Sequence, residues 1–506
     1  MATRIRLLWF GKPPDQAQRD LIAQHGLHLT VHNDGETPDF QYARAAVFWA
    51  TDNYFADAAK CVREFVKAAI DDGVFVAPVV SVADDYVLLH ELNKLLDSVD
   101  PHGARKAHYR MFTTPVDLHQ VLHQFMLHDA GPVRKTDLVI EGEVKIEKEE
   151  DRFLLQRAFH DCSSIRLEPI APGYSGADTF IVKATLIDSN AGPEPVPYFA
   201  KLGRSDKMQG EWQAFRTYAE HHVEWYVRPN FVPERTTYGI KRGILVGTFV
   251  QNSCALAEAV RKPGGAKHIR SLFLETLAAL RRQNRTVKPG KESVVSALKP
   301  FCDPFKVPEA RWKQAAEMFG GTCIRADDLW YRLLGLPALD WRSSAIHGDL
   351  HGENVRVRKE DSILIDFAHA SPGPACADLA HLEVSLAFDG RPGDVPGEAW
   401  KQAVMELYAP DSIVASLAKP TAVKNDTWMQ AACAEIRALV PTAVANPASP
   451  EEYMRVLAVY LLRHASFGAN KGDKGDDEYR RTFAFWLACR LTEHLRAIAS
   501  AHVVPA

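Results

Sequence analysis

The stretch Ala345-Ile-His-Gly-Asp-Leu-His-Gly-Glu-Asn-Val355, followed after a polar turn by Ile363-Leu-Ile-Asp-Phe-Ala368, decides how this chain is read. Three polar residues stand at fixed spacings: Asp349, Asn354 five residues on, and Asp366 twelve beyond that. Residues 355–358 and 363–365 are short enough and apolar enough to pair as a hairpin around Lys359-Glu-Asp-Ser362. That hairpin brings Asn354 and Asp366 to the same end. An amide oxygen and a carboxylate converging there suit Mg²⁺, a hard cation that takes oxygen ligands and keeps phosphate contacts. Asp349 then stands nearby with no metal to bind, ready to accept a proton or orient a hydroxyl. Phosphoryl transfer requires this division of labour, with one carboxylate on the nucleophile and the other oxygens on metal.

Working outward, the sequence changes character twice. Residues 138–146 read as a strand, 149–159 as a helix, and 165–187 as two strands around a Gly-containing turn. A short strand follows at 197–202, a helix at 210–221, and a hairpin over 235–250 that turns near 239–243. From residue 255 onward the 3.6-residue period dominates, with helices expected at 267–284, 309–318, 398–407, 427–439, 453–467 and 479–499. Strands first and helices later indicate a two-lobed unit.

The block 345–368 resembles the aminoglycoside phosphotransferase and choline kinase-like superfamily, which shares the protein-kinase fold. His-Gly-Asp-Leu-His-Gly-Glu-Asn-Val looks like its catalytic loop and Leu-Ile-Asp-Phe-Ala like its metal-binding segment. The resemblance implies Asp349 as catalytic base, Asn354 and Asp366 as magnesium ligands, and His347 as the scaffold histidine of the loop. Pro372-Gly-Pro-Ala-Cys-Ala-Asp-Leu-Ala380 matches the family's Asp-Leu-Ala helix start, which makes Asp378 a structural cap or a loop brace. His351 and Glu353 are read as a loop brace and a solvated side chain. The resemblance runs from about residue 150 to the C-terminus and is sharpest at 345–380.

It further implies a lysine, an acidic partner and a phosphate loop upstream. Pro195-Val-Pro-Tyr-Phe-Ala-Lys201 places Lys201 at the end of an apolar strand, and Glu211 follows on a helix, with Glu220 as a competitor. Gly173-Tyr-Ser-Gly-Ala-Asp178 occupies the place of the phosphate loop. It departs from GxGxxG, yet Ser175, Gly176 and neighbouring N–H groups are the candidates to meet phosphate. Adenine contacts are expected near residues 249–252. The metal segment reads Asp366-Phe-Ala rather than Asp-Phe-Gly, and no Ala-Pro-Glu follows, which fits small-molecule kinases better than regulated protein kinases.

The first third alternates differently. Strand-like runs at 5–10, 27–31, 45–49, 74–80 and 108–112 are separated by helical patterns at 16–24, 56–70, 85–96 and 116–127. This alternation argues for a doubly wound parallel sheet of flavodoxin type. It resembles a response-regulator receiver in topology but lacks the acid pair after the first strand, which ends in Phe10-Gly11-Lys12-Pro13. Asp52 follows the third strand too late, Ser81 can serve as the hydroxyl, and the fifth strand ends in Phe112-Thr113-Thr114-Pro115 without the lysine. A phospho-accepting role is therefore not expected, and docking of a protein partner is.

The resulting fold class is a multidomain α/β and α+β chain. An N-terminal doubly wound domain spans 1–130, a linker and leading strand 131–150, a kinase-like N-lobe 151–253, and a helical C-lobe 254–506. Its 506 residues exceed one ordinary domain of roughly 100–200 residues. The hydrophobic fraction of 46% with 25% charged residues is that of a folded enzyme, and a net charge of -4 speaks against a nucleic-acid coat protein. Eight cysteines show no CxxC spacing, so neither a zinc module nor a disulfide framework is indicated. The run Leu7-Leu8-Trp9-Phe10 is too short for a signal peptide, and nothing approaches the about 20 apolar residues of a membrane span. A cytoplasmic, ATP- and Mg²⁺-dependent phosphotransferase is expected, acting on a hydroxyl of a small molecule or, as a weaker alternative, of a protein. A nucleotide-binding pseudokinase scaffold and a nucleotidyl transferase on the same fold are the competing readings.

Overall fold

The structure is a computed structural model that describes residues 5–25, 27–32, 43–50, 75–81, 112–114, 118–127, 134–170, 177–187, 196–239, 242–283, 285–321, 323–390, 396–420, 427–468 and 476–501, with isolated positions between 67 and 98. The chain forms two compact units, Met1–Gly210 with Asn230–Phe249, and Glu211–Pro229 with Val250–Ala506.

The first unit holds two sheets. Strands β1 (Ile5–Gly11), β2 (Leu27–Val31), β3 (Ala43–Ala50), β4 (Phe75–Ser81) and β5 (Phe112–Thr114) pair in parallel in the order β2-β1-β3-β4-β5. This is the strand order of doubly wound flavodoxin-type sheets. Leu7 to Phe10 and Ala45 to Phe48 are all buried, as central parallel strands covered on both faces must be. Helix Gln16–Gln24 starts where the sequence supplies a capping box, with Asp15 and Gln18 each accepting the other's backbone N–H. At the end of β1, Gly11 has φ +90°, and a Cβ there would meet Trp49 O at 2.0 Å, so only glycine fits. Leu7, Trp9, Ile22, Val47 and Val79 build the core. Of the fifth strand, expected at 108–112, the described part is Phe112–Thr114. The expected helices at 56–70 and 85–96 lie outside the continuously described residues, as does Asp52.

The second sheet contains β6 (Val139–Gly142), β7 (Cys162–Pro169), β8 (Asp178–Leu186), β9 (Tyr198–Arg204), β10 (Thr237–Tyr238) and β11 (Arg242–Thr248), in the order β10-β11-β9-β8-β7-β6. Its core gathers Leu154, Phe159, Leu167, Val182, Leu202 and Val246. Arg235, almost fully buried, grips both oxygens of Asp161 at 2.7 Å and donates to Ala158 O. Such a bidentate pair compensates a buried guanidinium for the water it loses.

The second unit is mostly helical. Helices Glu309–Phe319, Ala377–Phe388, Glu398–Tyr408, Trp428–Leu439, Glu451–Ser466 and Asp476–Ala501 lie within two residues of their sequence periodicities wherever these were expected, save the last, which starts three earlier. The pattern at 267–284 is the exception. It breaks into an α-turn at Lys267–Ser271, a π-turn at Leu272–Thr276 and a 3₁₀ turn at Leu280–Arg282. The cause is tertiary. Ser362 of the neighbouring strand donates to His268 O at 2.9 Å and Thr276 donates to Ser362 O at 2.6 Å, so the helix widens to serve partners outside itself. Among the described residues no helix is long and apolar enough to cross a membrane.

Candidate active site

After the short strands β12 (Cys254–Ala255) and β13 (Thr286–Lys288), strand β14 (Trp341–Ile346) leads into the loop 347–354, then hairpin β15 (Val355–Arg358) and β16 (Asp361–Leu364), then β17 (Ser371–Pro374), which returns antiparallel to β14. In the hairpin Val355 faces Leu364 and Arg358 faces Asp361. One step further, Ile365 N donates to Asn354 O at 2.9 Å, which sets Asp366 beside the Asn354 end. Asp366 has φ +61°, a left-handed conformation that aspartate tolerates better than most residues, and its Oδ1 accepts from Ala368 N at 3.4 Å. Backbone strain of this kind is retained where a side chain must be aimed.

The loop is braced from below. The return of β17 along β14 carries helix Ala377–Phe388 under the loop, and the Asp378 carboxylate accepts from His347 N at 2.8 Å and Gly348 N at 3.0 Å. Asp378 is thus a loop brace and makes no helix cap; the cap position belongs to Cys376. Gly348 has φ +79°, and a Cβ would meet His369 O at 2.3 Å. His347 is fully buried, its Nε2 is 3.1 Å from Ile365 O, and its ring meets Phe367 edge-on at 5.5 Å. It therefore ties the loop to the residue before Asp366.

Asn354 donates through Nδ2 to Asp349 O at 2.9 Å. That bond orients the amide and leaves Oδ1 as its end for a cation. Asp349 itself is held by Arg463, whose Nη2 is 2.5 Å from Asp349 Oδ1. Burial pushes the Asp349 carboxyl up, but the Arg463 guanidinium, and then His351 and His369, outweigh it and hold the group below its ordinary value. Burial first keeps His351 and His369 below the ordinary histidine range, and it does the same far more strongly for His381. His351 Nδ1 accepts from Glu353 N at 3.3 Å and its Nε2 lies 3.8 Å from Asp349 Oδ2, so it closes the loop, while Glu353 is exposed. At the end of helix Ala377–Phe388, burial and then the charges of Glu353, Asp349 and Asp477 push the Asp389 carboxyl up to about 7.

The second unit thus brings together His347, Asp349, Asn354 and Asp366. Glu211 is buried in the same unit, on a helix that begins at Ser205 rather than 210 and passes into a π-turn at Phe215–Ala219. Its competitor Glu220 instead lies near Arg216 at 3.6 Å. Lys201 belongs to the first unit. It sits in mid-strand on β9, facing Thr179 and Leu245 in register, because the strand runs on to Arg204 instead of ending at the lysine. Lys201 is only 6% exposed. Ser175 and Gly176 lie outside the described residues.

Arg463 and His381 escaped the sequence reading. Arg463 comes from helix Glu451–Ser466, 114 residues from Asp349. A signal exists: an arginine within the apolar run Val459-Tyr-Leu-Leu-Arg-His464 must find an acid when that run is buried. Among the described residues no group of three or more His, Cys, Asp or Glu side chains could hold a metal ion. The donor set at the hairpin end still fits Mg²⁺, since one carboxylate and one amide oxygen leave the remaining positions to phosphate and water.

The family described as ternary complex associated domain 9 matches residues 299–407, which span the loop and the hairpin. No curated protein matches the chain. Among solved structures the chain is similar to a choline kinase from Cryptosporidium parvum, with 10% identity, a TM-score of 0.35, and coverage of 66% of this chain and 90% of that one. It is similar to an aminoglycoside phosphotransferase from Streptomyces rimosus, with 15% identity, a TM-score of 0.32, and coverage of 69% and 99%. A choline/ethanolamine kinase family protein from Mesorhizobium loti gives 15% identity, a TM-score of 0.34, and coverage of 66% and 92%.

Proposed function

We propose that this protein transfers the γ-phosphate of ATP to a hydroxyl of a small-molecule acceptor, with Mg²⁺ as the cation. One observation carries this: Asp349, paired with Arg463 on a doubly braced loop, stands beside a hairpin end that offers Asn354 and Asp366. Asp349 orients the acceptor hydroxyl and takes its proton as the new oxygen–phosphorus bond forms and the bond to the β-phosphate oxygen breaks, so that ADP leaves. Asn354 and Asp366 would hold Mg²⁺, which would supply charge neutralisation at the phosphates.

His347 holds the loop in register with Asp366. Lys201 takes the phosphate contact, Glu211 is its acidic partner, and Ser175 and Gly176 lie on the phosphate loop; these roles rest on their order along the sequence and, for Lys201 and Glu211, on their burial. The charges of Glu353, Asp349 and Asp477, which together raise the Asp389 carboxyl, support an acceptor with a cationic group beside its hydroxyl. Residues 151–253 and 254–506 serve as the two lobes, and residues 1–130 as a docking module for a protein partner in the cytoplasm.

The test incubates the full chain with ATP, Mg²⁺ and a panel of hydroxyl compounds and follows product mass. Addition of phosphate, lost by about 10²–10⁴-fold in Asp349→Asn with ATP binding retained, supports the proposal. Addition of AMP points to nucleotidyl transfer, and ATP binding without turnover across the panel points to a scaffold.

A further inference from the structure

Two cysteines far apart in the chain meet on the last helix, Asp476–Ala501. Their register is set by a series of contacts at and beyond the end of helix Glu309–Phe319. The Phe319 ring packs on Phe483 and Trp486, with centroids 4.7 and 5.6 Å away. Trp486 Nε1 donates to Gly320 O at 2.8 Å. Three positions after Gly320 stands Cys323, and three after Trp486 stands Cys489, about 4.5 Å further along the helix axis. There the two thiols are hydrogen-bond partners, and the Ile324 N–H also donates to the Cys489 sulfur. All of these residues belong to the second unit, and both thiols are free in this structure.

The two sulfurs differ in access and in charge. Cys489 is 2% exposed, whereas Cys323 is half-buried. The hydrogen bond from Cys489 holds the Cys323 thiol below its ordinary value, against burial and the Glu493 charge. The same contact, and then burial, push Cys489 up. Cys323 is therefore the thiolate of the pair and Cys489 its S–H donor. A thiol kept only as a small apolar side chain behaves otherwise: burial pushes Cys302 up to about 12, which leaves it inert. A reachable thiolate touching a shielded thiol is the arrangement in which one sulfur is oxidised and the other resolves it.

We propose that Cys323 and Cys489 form a redox-modification site, where a peroxide oxidises Cys323 and Cys489 then closes a reversible disulfide. The Cys323 thiolate attacks the peroxide O–O bond, becomes a sulfenic acid and expels hydroxide, which takes up a proton to give water. The Cys489 sulfur attacks the sulfenic sulfur, and its proton leaves with the hydroxyl as a second water. Two electrons pass from the pair of sulfurs to the peroxide. The bond ties the approach to helix Ala326–Leu334 onto the last helix. That helix packs against helix Glu451–Ser466, the carrier of Arg463, so the bond fixes the support of the Arg463–Asp349 pair.

The full chain is treated with hydrogen peroxide, its remaining thiols are capped with N-ethylmaleimide, and its peptides are weighed without reduction. A peptide pair joined through Cys323 and Cys489 within one chain is expected, and dithiothreitol separates it. In a second arm dimedone traps sulfenic acids during the peroxide treatment. Cys489→Ser is expected to raise the dimedone adduct on Cys323 by about tenfold over the native chain, because no thiol remains to resolve it. Cys323→Ser is expected to leave Cys489 without an adduct. The native-chain arm needs no variant, so a substitution that fails to fold leaves the test standing. The proposal is overturned if the native chain gives no Cys323–Cys489 bond, if that bond joins two chains, or if it forms only after unfolding in urea. It is equally overturned if a folded Cys489→Ser traps no more dimedone at Cys323 than the native chain.

Discussion

Arg463 clamps Asp349: its Nη2 lies 2.5 Å from Asp349 Oδ1, while its Nη1 is 3.5 Å from Gly348 O and 3.4 Å from His381 Nδ1. Tyr460 and Phe467 flank the guanidinium, with ring centroids 5.7 and 5.9 Å away. This one side chain thus lowers the pKa of the proposed base and adds a contact to its loop.

Arg463→Met is expected to shift the pH dependence of turnover. The guanidinium lowers the Asp349 pKa against burial, so its removal lets that pKa rise. An Asp base works above its pKa, and the acid limb of kcat/KM therefore moves to higher pH. Arg463→Lys restores part of the shift. An unchanged acid limb in Arg463→Met, with turnover merely lowered, would mean that Arg463 acts on structure alone.

Asp366→Ala is expected to abolish the Mg²⁺-dependent part of ATP binding, and Asn354→Ala to weaken it, because each removes one oxygen from a set of two. Calorimetry with and without Mg²⁺ measures this. Equal affinity for Mg-ATP in the native chain and Asp366→Ala sinks the assignment.

Glu383 and Arg437 form an ion pair in which both side chains are fully buried, at 2.8 Å. Tyr453 Oη donates to Glu383 Oε2 at 2.7 Å, and Arg437 also donates to Ser416 Oγ and Leu407 O. Removing one partner strands the other charge, so Glu383→Ala is expected to cost about 3–5 kcal/mol in urea unfolding. The double change Glu383→Leu with Arg437→Met is expected to recover most of that loss.

His381 links stability to pH. It is buried, stacks on Tyr460 at 4.8 Å, and is held far below its ordinary value by burial and then by Arg463. A folded-state pKa below the unfolded one stabilises fully above the unfolded value and loses that contribution as pH falls beneath it. The loss begins near pH ~6.5 and approaches about 1.4 kcal/mol per pH unit for this residue. His381→Phe keeps the stack and is expected to flatten the fall in stability between pH 6.5 and 5 by up to that slope. Denaturant melts across this range decide it, and identical slopes in both proteins refute the linkage.

Sequence by itself determined whatever depends on near neighbours. The return strand expected at 363–365 after the turn 359–362 instead runs over Asp361–Leu364 after a two-residue turn, but either pairing with 355–358 brings Asn354 and Asp366 to one end, so that convergence was legible from their spacing. The parallel strands Ile5–Gly11 and Leu27–Val31 and the helix Gln16–Gln24 were legible because apolar period and cap signals are local. Tertiary structure decided the rest. The break of the 267–284 helix follows from Ser362 claiming His268 O, and the role of Asp378 from β17 returning along β14. Arg463 reaches Asp349 across 114 residues because helix Glu451–Ser466 packs against helix Ala377–Phe388. A period places a side chain on a face of its own element; which distant charge that face meets is set only when the elements pack, and burial then forces the two charges to pair.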